Sequence, residues 1–297
     1  MAGVAKLLSS MLMAQMTINQ IFNVNWEDHK ELFQKNHFLR ISNALNEDFR
    51  INALKLFEEG DKHSVRSSTR VRYEIPNLLA KEFKDMIHTL TDTPRQDIVI
   101  SEQHFLKHNY NHHPLHFDQV WEEFALLLIL DFPKENDTRL KIYNNSLFMP
   151  IKTGQLKREW LFYKNYQRIY NSIATEIPAE VGDIVFFRSS SLAHQRTNPE
   201  GIIHYRLAAN SLGLSHPDNA TLNMMQDTYP YGPPQKMPTW FESQFEDANP
   251  EDNILYNQKE LFQSFWDNGS PTSHKIKEWV KSQSRRVLRK LLAPQHR

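Results

Sequence analysis

Phe124-Ala-Leu-Leu-Leu-Ile-Leu-Asp-Phe132 is nine residues long, almost wholly apolar, and closed by Pro133. A short apolar run that ends at a turn residue reads as a strand. Its neighbours have the same texture. Asp97-Ile-Val-Ile-Ser-Glu-Gln-His-Phe-Leu-Lys-His-Asn-Tyr110 precedes it. Arg139-Leu-Lys-Ile-Tyr-Asn-Asn145, Glu176-Ile-Pro-Ala-Glu180, Gly182-Asp-Ile-Val-Phe-Phe-Arg-Ser-Ser190 and Ile202-Ile-His-Tyr-Arg-Leu-Ala-Ala-Asn-Ser-Leu-Gly-Leu214 follow. All are short, rich in β-branched or aromatic residues, and bounded by Pro, Gly, Asn or Asp. No helix-length pattern alternates with them, as a doubly wound parallel sheet requires. The expected fold is therefore mainly β: a sandwich, barrel or jelly roll.

Upstream the periodicity is helical. Trp26-Glu-Asp-His-Lys-Glu-Leu-Phe33 opens one helix, and Phe38-Leu-Arg-Ile41 is a short strand. Asn46, with Glu47 and Asp48 behind it, is an N-cap for a helix through Phe57. Residues 78–90 place Leu79, Phe83, Met86, Ile87 and Leu90 on one stripe. Residues 1–97 thus form a helical buttress, 98–215 the β core and 216–297 a C-terminal extension of one domain. In the extension, residues 216–238 are rich in Pro, Asn and Gln and read as irregular, and two helical stretches follow. Residues 155–172, dense in aromatics and cations, read as an insertion.

Composition narrows the chemistry. The chain has 297 residues with 35 Lys and Arg against 35 Asp and Glu, so no basic field points to nucleic acid. It has no cysteine, which removes disulfides, thiolate metal sites and thiol nucleophiles; this accords with a cytoplasmic location. None of its eight glycines forms a nucleotide-binding loop. No run is long and apolar enough to cross a membrane. The first twenty residues read as an amphipathic helix, with a weak signal peptide as the competing reading.

Three residues carry the functional reading: His116 and Asp118 in Leu115-His-Phe-Asp118, and His194. Residues i and i+2 of a strand share a face, so His116 and Asp118 point the same way. Two imidazoles and one carboxylate form a facial triad that leaves positions open for a chelating co-substrate and O₂. Asp118 and His194 lie 76 positions apart, an interval holding four of the strands above. With fourteen histidines, roughly one H-x-D match is expected by chance. A second match, His216-Pro-Asp218, sits in the Pro- and Asn-rich stretch and lacks a suitable downstream histidine. Arg206, twelve residues beyond His194 in an apolar strand, is a guanidinium able to clamp a carboxylate bidentately.

The ordered set of H-x-D, then Gly182–Phe187 leading into His194, then the strand Arg206, resembles the Fe(II)/2-oxoglutarate dioxygenases. It is most similar to their phytanoyl-CoA hydroxylase and prolyl hydroxylase branches. The resemblance spans roughly residues 30–215. It implies a double-stranded β-helix (a cupin-like jelly roll) with flanking helices, an iron held by His116, Asp118 and His194, and 2-oxoglutarate held by Arg206. It also implies O₂ as co-substrate, succinate and CO₂ as products, and ascorbate as a candidate reductant. Asp118 stands where related halogenases carry a small residue, which favours hydroxylation, desaturation or cyclisation. Asn136-Asp-Thr-Arg139 replaces a common Gly-Gly turn, and the loop at 144–176 is long.

The expected substrate is a small or amino-acid-type molecule, free or carrier-bound. The rival is a jelly-roll binding or scaffold protein with a degenerate metal site, with a cupin-type isomerase between the two. Other residues stay open between roles. His108, Tyr110, His112 and His113 either contact substrate or form a solvated loop. His204 either assists Arg206 or is a satisfied core histidine. Trp160, Phe162, Tyr163, Tyr166 and Tyr170 either line a lid or pack a helix. The cationic tail around Lys275–Arg297 is either a solvated helix or a contact for an anionic surface.

Overall fold

A computed structural model describes residues 20–61, 70–71, 77–107, 110–111, 113–118, 121–131, 139–143, 174–178, 180–197, 202–203, 207–228, 236–246 and 255–268. The 155–172 stretch, the tail from residue 269, Arg206, His204 and the first nineteen residues lie outside them. The chain divides into two compact units, Met1–Ser215 and His216–Arg297.

Among the described residues the first unit contains twelve strands: β1 (Phe38–Ile41), β2 (Arg70–Val71), β3 (Ile98–Lys107), β4 (Tyr110–Asn111), β5 (His113–His116), β6 (Phe124–Asp131), β7 (Arg139–Tyr143), β8 (Ala174–Pro178), β9 (Ile184–Phe187), β10 (His194–Thr197), β11 (Ile202–Ile203) and β12 (Leu207–Ser215). One sheet has the order β1-β9-β6-β12-β3-β2 and a second has β5-β10-β7-β8, while β4 pairs with β11. Every ladder is antiparallel. Apart from the separately paired β4 and β11, the chain from β3 to β12 crosses between the two sheets at each step except the β7–β8 hairpin, giving core orders β3-β12-β6-β9 and β5-β10-β7-β8. That winding is the double-stranded β-helix, with its sheets left open at the edges.

Ala125, Leu127, Ile129, Val185, Phe187 and Leu212 of the first sheet meet Leu140, Ile142 and Ile177 of the second in one apolar cluster. The opposite face of the first sheet is covered by helices. Phe186 stacks on Phe33 at 4.7 Å and on Phe124 at 5.6 Å, and meets Phe83 edge-on at 6.1 Å. Both faces of β6 are therefore dry, and Phe124 through Leu130 are all buried. Each such side chain contributes about 1.5–3 kcal/mol on burial, which is why this segment shows no polar alternation.

Three α-helices of this unit lie among the described residues: α1 (Lys30–Asn36), α2 (Glu47–Asp61) and α3 (Asn77–Thr91). Asn46 caps α2, its Oδ1 accepting from the amides of Asp48 (2.9 Å) and Phe49 (3.3 Å). On α3 the buried residues are Leu79, Ala80, Phe83, Met86, Ile87 and Leu90. Gly213 lets this helix approach: a Cβ there would meet Ile87 Cδ1 at 3.0 Å.

The described residues of the second unit include α4 (Asn219–Thr228), α5 (Thr239–Glu246) and α6 (Lys259–Asn268). Its aromatic core centres on Phe241, whose ring lies 5.4 Å from Phe262 and 5.6 Å from Trp240. The sequence reading of 216–238 as irregular is corrected here, because α4 forms inside that stretch. Asp218 caps it, accepting from the Thr221 amide at 2.6 Å. The hydrogen-bonding of Thr221 holds the Asp218 carboxyl below its usual range. No helix among the described residues is long and apolar enough to cross a membrane.

Candidate metal centre

His194 is the first residue of β10 and is 2% exposed. Its Nδ1–H donates to the Leu192 carbonyl at 3.0 Å. A carbonyl only accepts, so Nδ1 carries a proton, and in the neutral imidazole the lone pair is on Nε2. Metal-ligating histidines are commonly oriented by such a bond through their other nitrogen. Nε2 lies 3.7 Å from Asp118 Oδ1. The Phe187 ring meets the imidazole edge-on at 4.9 Å and walls it on that side.

Asp118 belongs to the crossover between β5 and β6, and His194 follows the crossover between β9 and β10. The two crossovers are laced together. The Asp118 amide donates to Ser189 O at 3.0 Å, and the buried Ser189 hydroxyl donates to Glu122 O at 2.5 Å. Glu123 faces Arg188 Nη1 at 3.4 Å and accepts from the Ser215 amide at 2.9 Å, tying in the end of β12. Sequence reading missed Phe187, Ser189 and Glu123, because their roles depend on contacts between distant segments.

His116 ends β5, and its Cα lies directly opposite that of His194 in the β5–β10 ladder. It therefore takes a register position on the same sheet face as His194. Its side chain lies outside the described residues, as does Arg206. The residue after Arg206, Leu207, opens β12. Among the described side chains no group of three His, Cys, Asp or Glu is gathered tightly enough to hold a metal. The described pair nevertheless fits a shared ion. Two N and O donors each about 2.1 Å from one metal stand at most about 4.2 Å apart, and 3.7 Å lies within that bound. An imidazole with a carboxylate, and no thiolate, is also the donor set that suits a non-haem iron. The other H-x-D match is built differently: His216 has a left-handed backbone (φ 48°) and Asp218 is occupied as a helix cap.

No protein-family model matches the sequence, and no curated protein matches it. Among solved structures the chain is similar to a Pseudomonas putida prolyl-4-hydroxylase, at 8% identity over 67% of this chain and 98% of that one, with a TM-score of 0.43. It is similar to the non-haem α-ketoglutarate-dependent epimerase SnoN of nogalamycin biosynthesis, at 13% identity over 72% and 92%, with a TM-score of 0.47. It is also similar to HygX from Streptomyces hygroscopicus, solved with nickel and 2-oxoglutarate, at 12% identity over 63% and 86%, with a TM-score of 0.44.

Proposed function

We propose that this chain is a non-haem Fe(II)/2-oxoglutarate-dependent oxygenase. The observation that carries the reading is the His194–Asp118 pair at 3.7 Å, with His116 opposite His194 in the ladder. In this reading His116, Asp118 and His194 hold the iron and Arg206 clamps the distal carboxylate of 2-oxoglutarate. When bound, the iron supplies O₂ activation coupled to decarboxylation of 2-oxoglutarate to succinate and CO₂.

The chain's own residues supply orientation and dryness. The bond from His194 Nδ1 to Leu192 O fixes the imidazole plane and leaves Nε2 as the donor atom. The link from the Asp118 amide to Ser189 O holds the carboxylate beside it. Phe187 excludes water from one flank of the imidazole. The reaction class is hydroxylation, or a desaturation or cyclisation that begins with the same hydrogen abstraction. The substrate is a small or amino-acid-type molecule, free or carrier-bound, with ascorbate as a supporting reductant. We take residues 98–215 as the catalytic jelly roll of one oxygenase domain spanning 1–297, working in the cytoplasm.

Anaerobic titration with Fe(II) and 2-oxoglutarate tests the reading. Wild type is expected to develop a visible metal-to-co-substrate charge-transfer band, and to convert 2-oxoglutarate to succinate once O₂ is admitted. His116→Ala, Asp118→Ala and His194→Ala are each expected to lose both signals. A wild-type chain showing neither is a binding or scaffold protein.

A further inference from the structure

The two described donors are fixed by different means. His194 opens β10, and its backbone is laddered on both sides, to His116 of β5 and to Ile142 of β7. Its ring is then set by the Leu192 carbonyl. Asp118 sits in another kind of frame. β5 ends at His116 and β6 starts at Phe124, so the carboxylate lies in the crossover between them. Strand pairing does not specify its direction.

One residue of the β9–β10 crossover closes on that loop at two points. The Ser189 carbonyl accepts from the Asp118 amide at 3.0 Å. The Ser189 hydroxyl donates to the Glu122 carbonyl at 2.5 Å. Fully extended, the four steps from Asp118 to Glu122 would span about 14 Å. Both positions are instead within hydrogen-bond reach of one serine, which holds the ends of the loop together.

The serine has a firm base. It is fully buried, and its turn is closed by the Ser191 and Leu192 amides, which donate to the Arg188 carbonyl at 3.2 and 2.9 Å. The same turn carries the Leu192 carbonyl that orients His194, so one short turn references both donors. A buried hydroxyl is costly unless bonded. Here its bond goes to the main chain of the ligand-bearing loop. An alanine would fill the space almost as well and keep the backbone bond to Asp118. The hydroxyl adds the second fastening.

We propose that Ser189 is a positioning residue for the metal-binding carboxylate. By tying Glu122 O, its hydroxyl keeps Asp118 at the separation from His194 at which both reach one ion. This rests on the oxygenase reading for the ion and its ligands, and on the two hydrogen bonds for the clamp. Loss of a group that orients a metal ligand typically lowers metal affinity by about tenfold to a hundredfold.

The test compares wild type with Ser189→Ala, both prepared free of metal. Hydrogen exchange of the Asp118 amide, followed by NMR, reads the clamp itself. Calorimetric binding of Co(II), used as a stand-in for Fe(II), reads its consequence. Ser189→Ala is expected to speed exchange of the Asp118 amide at least tenfold more than that of the β6 and β9 amides. A general loss of stability would instead speed the sheet amides in step with it. Co(II) affinity is expected to fall at least tenfold. A smaller difference in either measurement overturns the proposal. So does failure of Ser189→Ala to fold, which would assign the hydroxyl to the fold alone. A wild type that binds no Co(II) overturns the oxygenase reading and the positioning role with it, whereas equal Co(II) binding by both proteins overturns the positioning role alone.

Discussion

At the scale of single residues, two H-x-D triplets of identical chemistry have been given different surroundings. In the first, Asp118 is held beside a histidine whose tautomer is set by a backbone carbonyl. In the second, the aspartate is spent on a helix start. Asp218→Ala is accordingly expected to lower thermal stability by shortening α4 while leaving Fe(II) affinity unchanged; loss of metal binding in that variant would reverse the assignment. Arg206→Ala is expected to weaken 2-oxoglutarate binding by roughly 2–5 kcal/mol, part of it the penalty for a stranded carboxylate. Arg206→Lys should recover a fraction only, since an ammonium lacks the planar fork. Fe(II) affinity, measured alongside, should not move. At the turn before β9, Asp183→Ala removes the partner of Arg40 and three backbone or guanidinium donors lose their acceptor. Breaking a buried pair costs about 3–5 kcal/mol. The lower end applies because the Arg40 side chain is 24% exposed and regains water; chemical denaturation of the variant measures it.

At the scale of elements, the approach of α3 to the sheet depends on the missing side chain of Gly213. The atoms a new Cβ would meet are Ile87 Cδ1 at 3.0 Å and Phe83 Cε1 at 3.4 Å. Alanine needs only the tip of Ile87 to turn aside. Valine adds branches that have no room, and Gly213→Val is expected to cost about 1–3 kcal/mol by overpacking. A denaturation midpoint equal to wild type would mean that the helix shifts freely. The Asn46 cap of α2 is separable from the site, so Asn46→Ala should cost about 1 kcal/mol with the iron titration unchanged.

At the scale of the molecule, the segment around Ile21 and Phe22 is held to the first unit by a bridge between Phe22 and Leu45 and by one acid. Glu82 on α3 accepts from the Ile21 amide at 2.8 Å and the Phe22 amide at 3.2 Å. Burial is the larger influence and raises its pKa above the ordinary glutamate value, against the opposing pull of those two amides. A raised folded pKa means that the folded chain binds the proton more tightly than the unfolded one. The group's contribution is therefore complete below about pH 4.5 and is lost as pH rises through the folded pKa. Glu82→Gln keeps an acceptor oxygen and removes the titration. The stability of wild type relative to Glu82→Gln is thus expected to fall as pH rises from the ordinary glutamate pKa through the folded one; a rise instead would show that the amide bonds outweigh burial.

The sequence alone determined the class of the core and the candidate donors. Apolar runs bounded by Pro, Gly and Asn are local signals, and so is the H-x-D triplet, although the strand expected to carry both ligands ends at His116 and leaves Asp118 in the crossover. The N-cap at Asn46 and the apolar stripe of α3 are legible for the same reason: each depends on residues within one or two turns. The helix at 219–228 was hidden because Pro, Asn and Gln dominate the stretch around it, whereas its start depends on one capping carboxylate. Only the tertiary structure decided that His116 stands opposite His194, since ladder register between segments so far apart is set by every strand between them. It alone decided that Glu102 faces inward, opposite Leu212 of the apolar cluster between the sheets. Residues 98–103 are buried on both faces, so alternation cannot tell the interior side from the helix side. The side is fixed by the pairing with β12, whose register shifts between Leu212 and Gly213, and a one-residue shift exchanges the two faces of a strand.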